Sequence, residues 1–314
     1  TPWSDVKLTL SGDLINENNV TYSVILDIKN LSHVSGTSAY EKEVKCSADV
    51  TVNAGTATFE SNVSGVNLTN DSSGTINQNE DLTLTGNLSN EGTYFQTGDS
   101  TVNGTFTNNG TYTQTGTLEV KKTFENTNSY TQNGVLTCTQ TFTNSGDYSQ
   151  NESITAGGNF TNSGDYVQNA NITTSGNFTD SDAAGSWSYS LTPEIKLAGT
   201  GNNTFNGIHT YYDITVTKTA GSMDFTVDVE ADNKIELTGS ATDFKFQGIT
   251  ADSVKVNSSK SFTAQDTVSI GTFTDAAGCG NISFTDGVIS NDVVFNTTGK
   301  VTIFPGDGNN FTIG

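Results

Sequence analysis

The chain holds 314 residues, with 34 acidic side chains against 13 basic ones and a formal net charge of -21. Every basic side chain is a lysine. Without arginine, which grips phosphate through paired hydrogen bonds, and with this excess of negative charge, the composition argues against nucleic acid and anionic lipid as partners. The apolar content of 32% is low for a thick globular core and suits a thin one.

The chain begins at Thr1 with no initiator methionine, which suggests a processed or trimmed chain. No run of about 18 apolar residues offers a membrane-spanning helix. Residues 1–50 alternate in long stretches (Val6, Leu8 and Leu10; Val20, Tyr22, Val24 and Leu26) around the polar run Asn16 to Asn19. They read as longer antiparallel-style strands, an N-terminal β cap that shields the open edge of the strands after it.

Residues 51–180 carry a repeat. It sets in imperfectly: Gly74-Thr75-Ile76-Asn77-Gln78 matches Gly92-Thr93-Tyr94-Phe95-Gln96 at a step of 18, with an adjusted turn expected upstream of Asn70. From there it is strict. Phe106, Phe124, Phe142, Phe160 and Phe178 are 18 residues apart, as are Tyr112, Tyr130, Tyr148 and Tyr166, and Leu118, Leu136, Ile154 and Ile172. Interleaved, the three series put one large apolar side chain at every sixth position. Such a period predicts a solenoid whose repeats bury their apolar faces only by stacking. Six residues are too few for an ordinary helix, and the alternation within each unit is that of a short strand, so one coil is three short strands and three bends.

Two amide columns accompany the apolar ones: Asn90, Asn108, Asn126, Asn144 and Asn162, and Gln96, Gln114, Gln132, Gln150 and Gln168. At a strand spacing of about 4.8 Å, stacked identical amides can hydrogen-bond along the column, so both are read as ties between coils rather than as a row of ligand contacts. Cys138 falls in the column of Val102, Val120, Ala156 and Thr174 and reads as a buried small side chain; the spacing of Cys46, Cys138 and Cys279 favours no disulfide.

Residues 181–212 break both period and composition, gathering Trp187, Tyr189, Pro193, His209, Tyr211 and Tyr212 beside Gly199-Thr200-Gly201-Asn202-Asn203. Exposed aromatics beside a polar wall can stack on sugars, which makes Trp187, Tyr189, His209, Tyr211 and Tyr212 the candidate ligand-binding residues. The competing reading is that these rings seal an irregular join. From residue 213 to 314 alternating strands return, expected as a continuation with coils of about 20 to 25 residues, a sandwich of the same strands being the alternative.

Catalytic constellations are thin. His33 and His209 lie in different segments, so neither a zinc site nor a Ser-His-Asp set is indicated, and no metal or cofactor is expected. Asp180 and Asp182 read as solvated turn residues. The turn Pro305 to Asn310 and the recurring Asp147 and Asp165 fall short of a calcium repeat. Glycosylation-type sequons such as Asn67-Leu68-Thr69 and Asn109-Gly110-Thr111 read as products of an Asn/Thr-rich composition. The outward column Thr107, Glu125, Thr143, Thr161, Thr179 is broken by a charge, which weakens an ice-binding reading.

The units Phe142-Thr143-Asn144-Ser145-Gly146-Asp147-Tyr148 and Phe160-Thr161-Asn162-Ser163-Gly164-Asp165-Tyr166 resemble the repeats of large bacterial surface proteins of the filamentous-haemagglutinin-like and autotransporter-passenger kind. The resemblance covers residues 70 to 180 in detail; the Asn-Pro-Asn secretion motif of the first group is missing. It implies a right-handed single-stranded parallel β-helix displayed outside the cell, non-catalytic and adhesive, with host or matrix glycans or proteins as partners. A tail-spike-like or lyase-like enzyme on the same architecture is the alternative.

Overall fold

The computed structural model describes residues 6–181, 185–239, 243–257, 260–275, 279–289, 293–303 and 311–313. Every regular element among them is a β-strand, the strands pair in parallel, and no helix is long and apolar enough to cross a membrane. The chain divides into two compact units, Thr1–Ser153 and Ile154–Gly314. Each is a parallel β-solenoid with one strand of each coil hydrogen-bonded to its counterpart in the next.

In Thr1–Ser153 the columns read from the sequence become strand pairs. Phe106 pairs with Phe124 and Phe124 with Phe142; Tyr112 pairs with Tyr130 and Leu118 with Leu136. Alternation sends the first and third residues of strands such as Phe106–Asn108 inward and the middle one outward. Stacking follows from register: the Phe106 and Phe124 rings lie 4.9 Å apart and within 4° of parallel, and Tyr112 and Tyr130 lie 5.1 Å apart. Phe124 meets Tyr130 edge-on at 83°, so each coil fills its cross-section with an edge-to-face pair.

The N-terminal stretch differs from expectation. Lys7 pairs with Ile25, Asp13 with Asn30 and Leu26 with Val44, all in parallel, so these are the first coils of the unit and not antiparallel-style strands. The alternation from Val20 to Leu26 runs through a corner between the strands Thr21–Tyr22 and Ile25–Ile28. A period of two survives such a corner and carries no information about strand direction. Further on, the register shifts between Asn70 and Ser73.

In Ile154–Gly314 the columns of this unit persist through the segment that reads as a break. Trp187 pairs with Tyr166, Ile195 with Ile172 and Phe205 with Phe178. The additional residues lengthen corners and leave strands in column. The phenylalanine series continues as Phe178, Phe205, Phe225 and Phe246, each paired with the last. At Ala264, which pairs with Phe246, the ring is supplied by Phe262, 5.3 Å from Phe246 and 5.5 Å from Phe284. Coils here fall partly within the expected range of lengths and partly below it: Ile214 pairs with Ile235, Ile235 with Val254 and Phe244 with Phe262, steps of 21, 19 and 18 residues, while Gly287 pairs with Phe311, a step of 24. Their parallel pairing removes the sandwich alternative.

Candidate functional site

The polar interior decides which side chains are free for function. In the asparagine column each Nδ2 donates to the next coil's Oδ1 at 2.7 Å, from Asn70 to Asn90, Asn108, Asn126 and Asn144. The same Nδ2 donates to corner carbonyls, for Asn108 those of Gly110 and Ser129. Because every donor points toward the following coil, the column has a direction. Its first acceptor, Asn70 Oδ1, is buried without a donor, since the position one coil earlier is Val52.

The glutamines behave differently from the expected ladder. The longer side chain carries its amide to the corner, where Gln96 Nε2 donates to the Gly98 and Thr117 carbonyls, and Gln96 Oε1 accepts from the Tyr112 hydroxyl at 2.9 Å. Tyr94 with Gln78, Tyr130 with Gln114 and Tyr148 with Gln132 repeat this pairing. Burial holds the Tyr112 and Tyr130 phenols well above their usual range.

Asp180 stands where the asparagine column would have its next member, in register with Asn162. It is not a solvated turn residue: it ends the strand Phe178–Asp180 and is fully buried, whereas Asp182 lies outside the described residues. Oδ1 accepts from Asn162 Nδ2 at 2.9 Å. Oδ2 accepts from the Tyr211 hydroxyl at 2.8 Å and faces His209 Nδ1 at 2.7 Å. His209 Nε2 faces the Gly185 carbonyl at 3.3 Å, so both ring nitrogens lie against oxygen atoms. The signal in the sequence is its distance of 18 from Asn162.

The five candidate residues therefore separate. Trp187 replaces a tyrosine of the column, stacks on Tyr166 at 4.4 Å and is 9% exposed; Tyr211 is 0% exposed and meets Trp187 edge-on at 5.2 Å. Both are core. His209, its side chain 20% exposed, is tied to Asp180. Tyr189 and Tyr212 are half-buried and pack edge-to-face 5.8 Å apart. The Tyr189 hydroxyl donates to Asp232, and burial together with the Asp232 and Glu230 carboxylates raises its pKa well above the usual phenol range.

Asp232 also lines an open cleft of about 540 Å³, walled by Glu230, Thr250, Asp252, Ser269 and Gly271. These residues lie on parallel strands of successive coils, and the register shift between Ala231 and Lys234 places Asp232 at an irregular corner. Aromatic faces, hydroxyls and carboxylates at one site can stack on and hydrogen-bond a polyhydroxylated ligand. This cleft carries no sequence signal, because its residues are up to 41 positions apart, from Glu230 to Gly271.

Other candidates resolve into structure. His33 is buried in the N-terminal unit, its Nδ1 3.0 Å from Asn16 Nδ2, and burial lowers its pKa. Cys46, Cys138 and Cys279 are free and buried, with the Cys46 and Cys138 thiols pushed up to about 12. No group of three His, Cys, Asp or Glu side chains among the described residues is arranged to hold a metal ion. The calcium candidate Pro305 to Asn310 falls outside the described residues. The outward threonines Thr107 and Thr143 are separated by Glu125, and Thr179 is followed by Asn206. Sequon asparagines help to bind coil to coil, since Asn67 Oδ1 accepts the Asn87 backbone N–H at 2.8 Å and Asn87 Oδ1 that of Thr105 at 2.8 Å.

The chain matches no family model, no curated protein and no solved structure.

Proposed function

We propose that this chain is a non-catalytic, adhesin-like structural protein of the cell surface or extracellular space, and that it takes host or matrix glycans at Tyr189, Tyr212 and the adjoining cleft. The observation that carries this reading is the division of labour among polar and aromatic groups. The asparagine and glutamine columns, Asp180 and His209 direct their side chains into the fold. The Tyr189–Tyr212 pair stays half-buried, and Tyr189 reaches Asp232 of the hydroxyl- and carboxylate-lined cleft. The net charge of -21 keeps such a chain soluble and steers it away from anionic polymers toward neutral or cationic ones.

Binding without turnover is the testable content. Immobilised neutral and amino-sugar polysaccharides should retain the protein while no reducing ends appear on prolonged incubation. Release of reducing ends would overturn the non-catalytic reading and assign Glu230, Asp232 and Asp252 to hydrolysis. Failure to retain the protein on any glycan or matrix surface would remove the adhesive one.

A further inference from the structure

Lys218 is an anomaly in this solenoid. It follows the strand Thr210–Val216, is 0% exposed, and no carboxylate of the described residues pairs with it. Its Nζ reaches the side-chain oxygen of Asn203 and the Ala198 carbonyl, the latter at 3.4 Å. An isolated buried ammonium is costly, and such a group sheds its proton or finds compensation. Burial lowers the Lys218 pKa, which raises the share of neutral amine. The acceptor side is also fixed: Asn203 Nδ2 is directed at Asn177 Oδ1, 3.4 Å away, which leaves the carboxamide oxygen turned toward Lys218.

We propose that Lys218 and Asn203 form an intramolecular isopeptide cross-link. The neutral Nζ attacks Cγ of Asn203, and a C–N bond forms as the carbonyl electrons move to Oδ1. The nitrogen's proton passes to Nδ2, the Cγ–Nδ2 bond breaks, and ammonia leaves. Nothing is oxidised or reduced, and no co-reactant is needed. The Ala198 carbonyl accepts a hydrogen bond from Nζ as positive charge develops there, and Asn177 Oδ1 holds the departing nitrogen. The product removes the uncompensated cation and closes a covalent ring over residues 203–218. This ring lies in the coils that follow the longest corner insertions, between Phe178 and Phe205. A covalent tie there fastens the start of the strand Asn203–Gly207 to the segment after Thr210–Val216. The proposal is independent of glycan binding.

Intact mass of the denatured full chain, followed by fragmentation of its digest, decides it. The expected result is a chain lighter than its sequence by one ammonia, with a branched peptide joining Lys218 to Asn203, and full mass in both Lys218→Ala and Asn203→Ala. A wild-type chain of full sequence mass with the two peptides unlinked overturns the proposal. So does an ammonia loss that persists in Lys218→Ala, which would mark succinimide formation at an asparagine instead.

Discussion

Asn162 Nδ2 donates to Asp180 Oδ1 at 2.9 Å, so the amide column of the second unit ends on a fully buried carboxylate. A further asparagine could receive Asn162, but only a group with two acceptor oxygens receives Asn162, Tyr211 and His209 together. Asp180→Ala leaves three donors facing a cavity and should cost about 3–5 kcal/mol. Asp180→Asn keeps one acceptor for Asn162 and should cost less, about 2 kcal/mol. Urea unfolding with the slope held in view checks both; equal, negligible shifts would show that the cluster contributes nothing to stability.

The direction of the asparagine column in the first unit sets a second expectation. Asn126→Val removes the side-chain acceptor of Asn108 Nδ2, which keeps only its corner carbonyls, takes the Asn126 donor from Asn144 Oδ1, and leaves the Asn128 and Asp147 carbonyls without Asn126. At roughly 1–3 kcal/mol for a buried group left unpaired, the urea midpoint should fall by the equivalent of about 3 kcal/mol. Valine is native at position 52 of the same column, where only Asn70 Oδ1 is orphaned. A neutral Asn126→Val would mean that the fold tolerates such gaps anywhere.

The tyrosine–glutamine pairs give a paired prediction. Tyr130→Phe removes the hydroxyl that donates to Gln114 Oε1 at 2.8 Å and should destabilise by about 1–2 kcal/mol. At Trp187 the column lacks that hydroxyl, and both Gln168 Oε1 and Trp187 Nε1 are buried without a partner. Trp187→Tyr should therefore be more stable than Trp187→Phe by about 1 kcal/mol, since only tyrosine supplies a donor to Gln168. Thermal unfolding of the two variants compares them directly.

Alkaline pH should unfold the chain cooperatively. Burial holds Tyr112, Tyr130, Tyr166 and Tyr211 well above the ordinary phenol value of 10.0. The unfolded chain then loses protons above that value while the folded chain keeps them. Stability is fully present below pH 10 and declines as pH rises beyond it, by up to about 1.4 kcal/mol per unit for each tyrosine. Tyrosinate absorbance from these rings should appear together with loss of the β-sheet signal; ionisation well before unfolding would contradict their close packing.

Much of the fold is legible in the sequence because a solenoid writes its cross-section along the chain. Phe106, Phe124 and Phe142 at a step of 18 specify parallel register, ring stacking and an inward asparagine at once. The features that escape do so for physical reasons. The strands around Tyr22 and Leu26 alternate through a corner, and alternation is blind to strand direction. Trp187, Ile195 and Phe205 keep their columns, but corner insertions destroy the constant step on which counting relies. Asp180 reads as a turn residue by its chemistry and as a column member only by its spacing from Asn162. The Tyr189–Tyr212 pair and the cleft at Asp232 depend on which half of an irregular corner faces out, and that is set by a register shift.

If the regular columns are scaffold, recognition falls to the two half-buried tyrosines. The most direct test is a glycan array probed with the wild-type chain and with Tyr189→Ala/Tyr212→Ala, their unfolding midpoints measured in parallel. The double variant should lose at least about tenfold in affinity, or about 1.4 kcal/mol, at a nearly unchanged midpoint. Undiminished glycan binding by a folded double variant would contradict this division between scaffold and site.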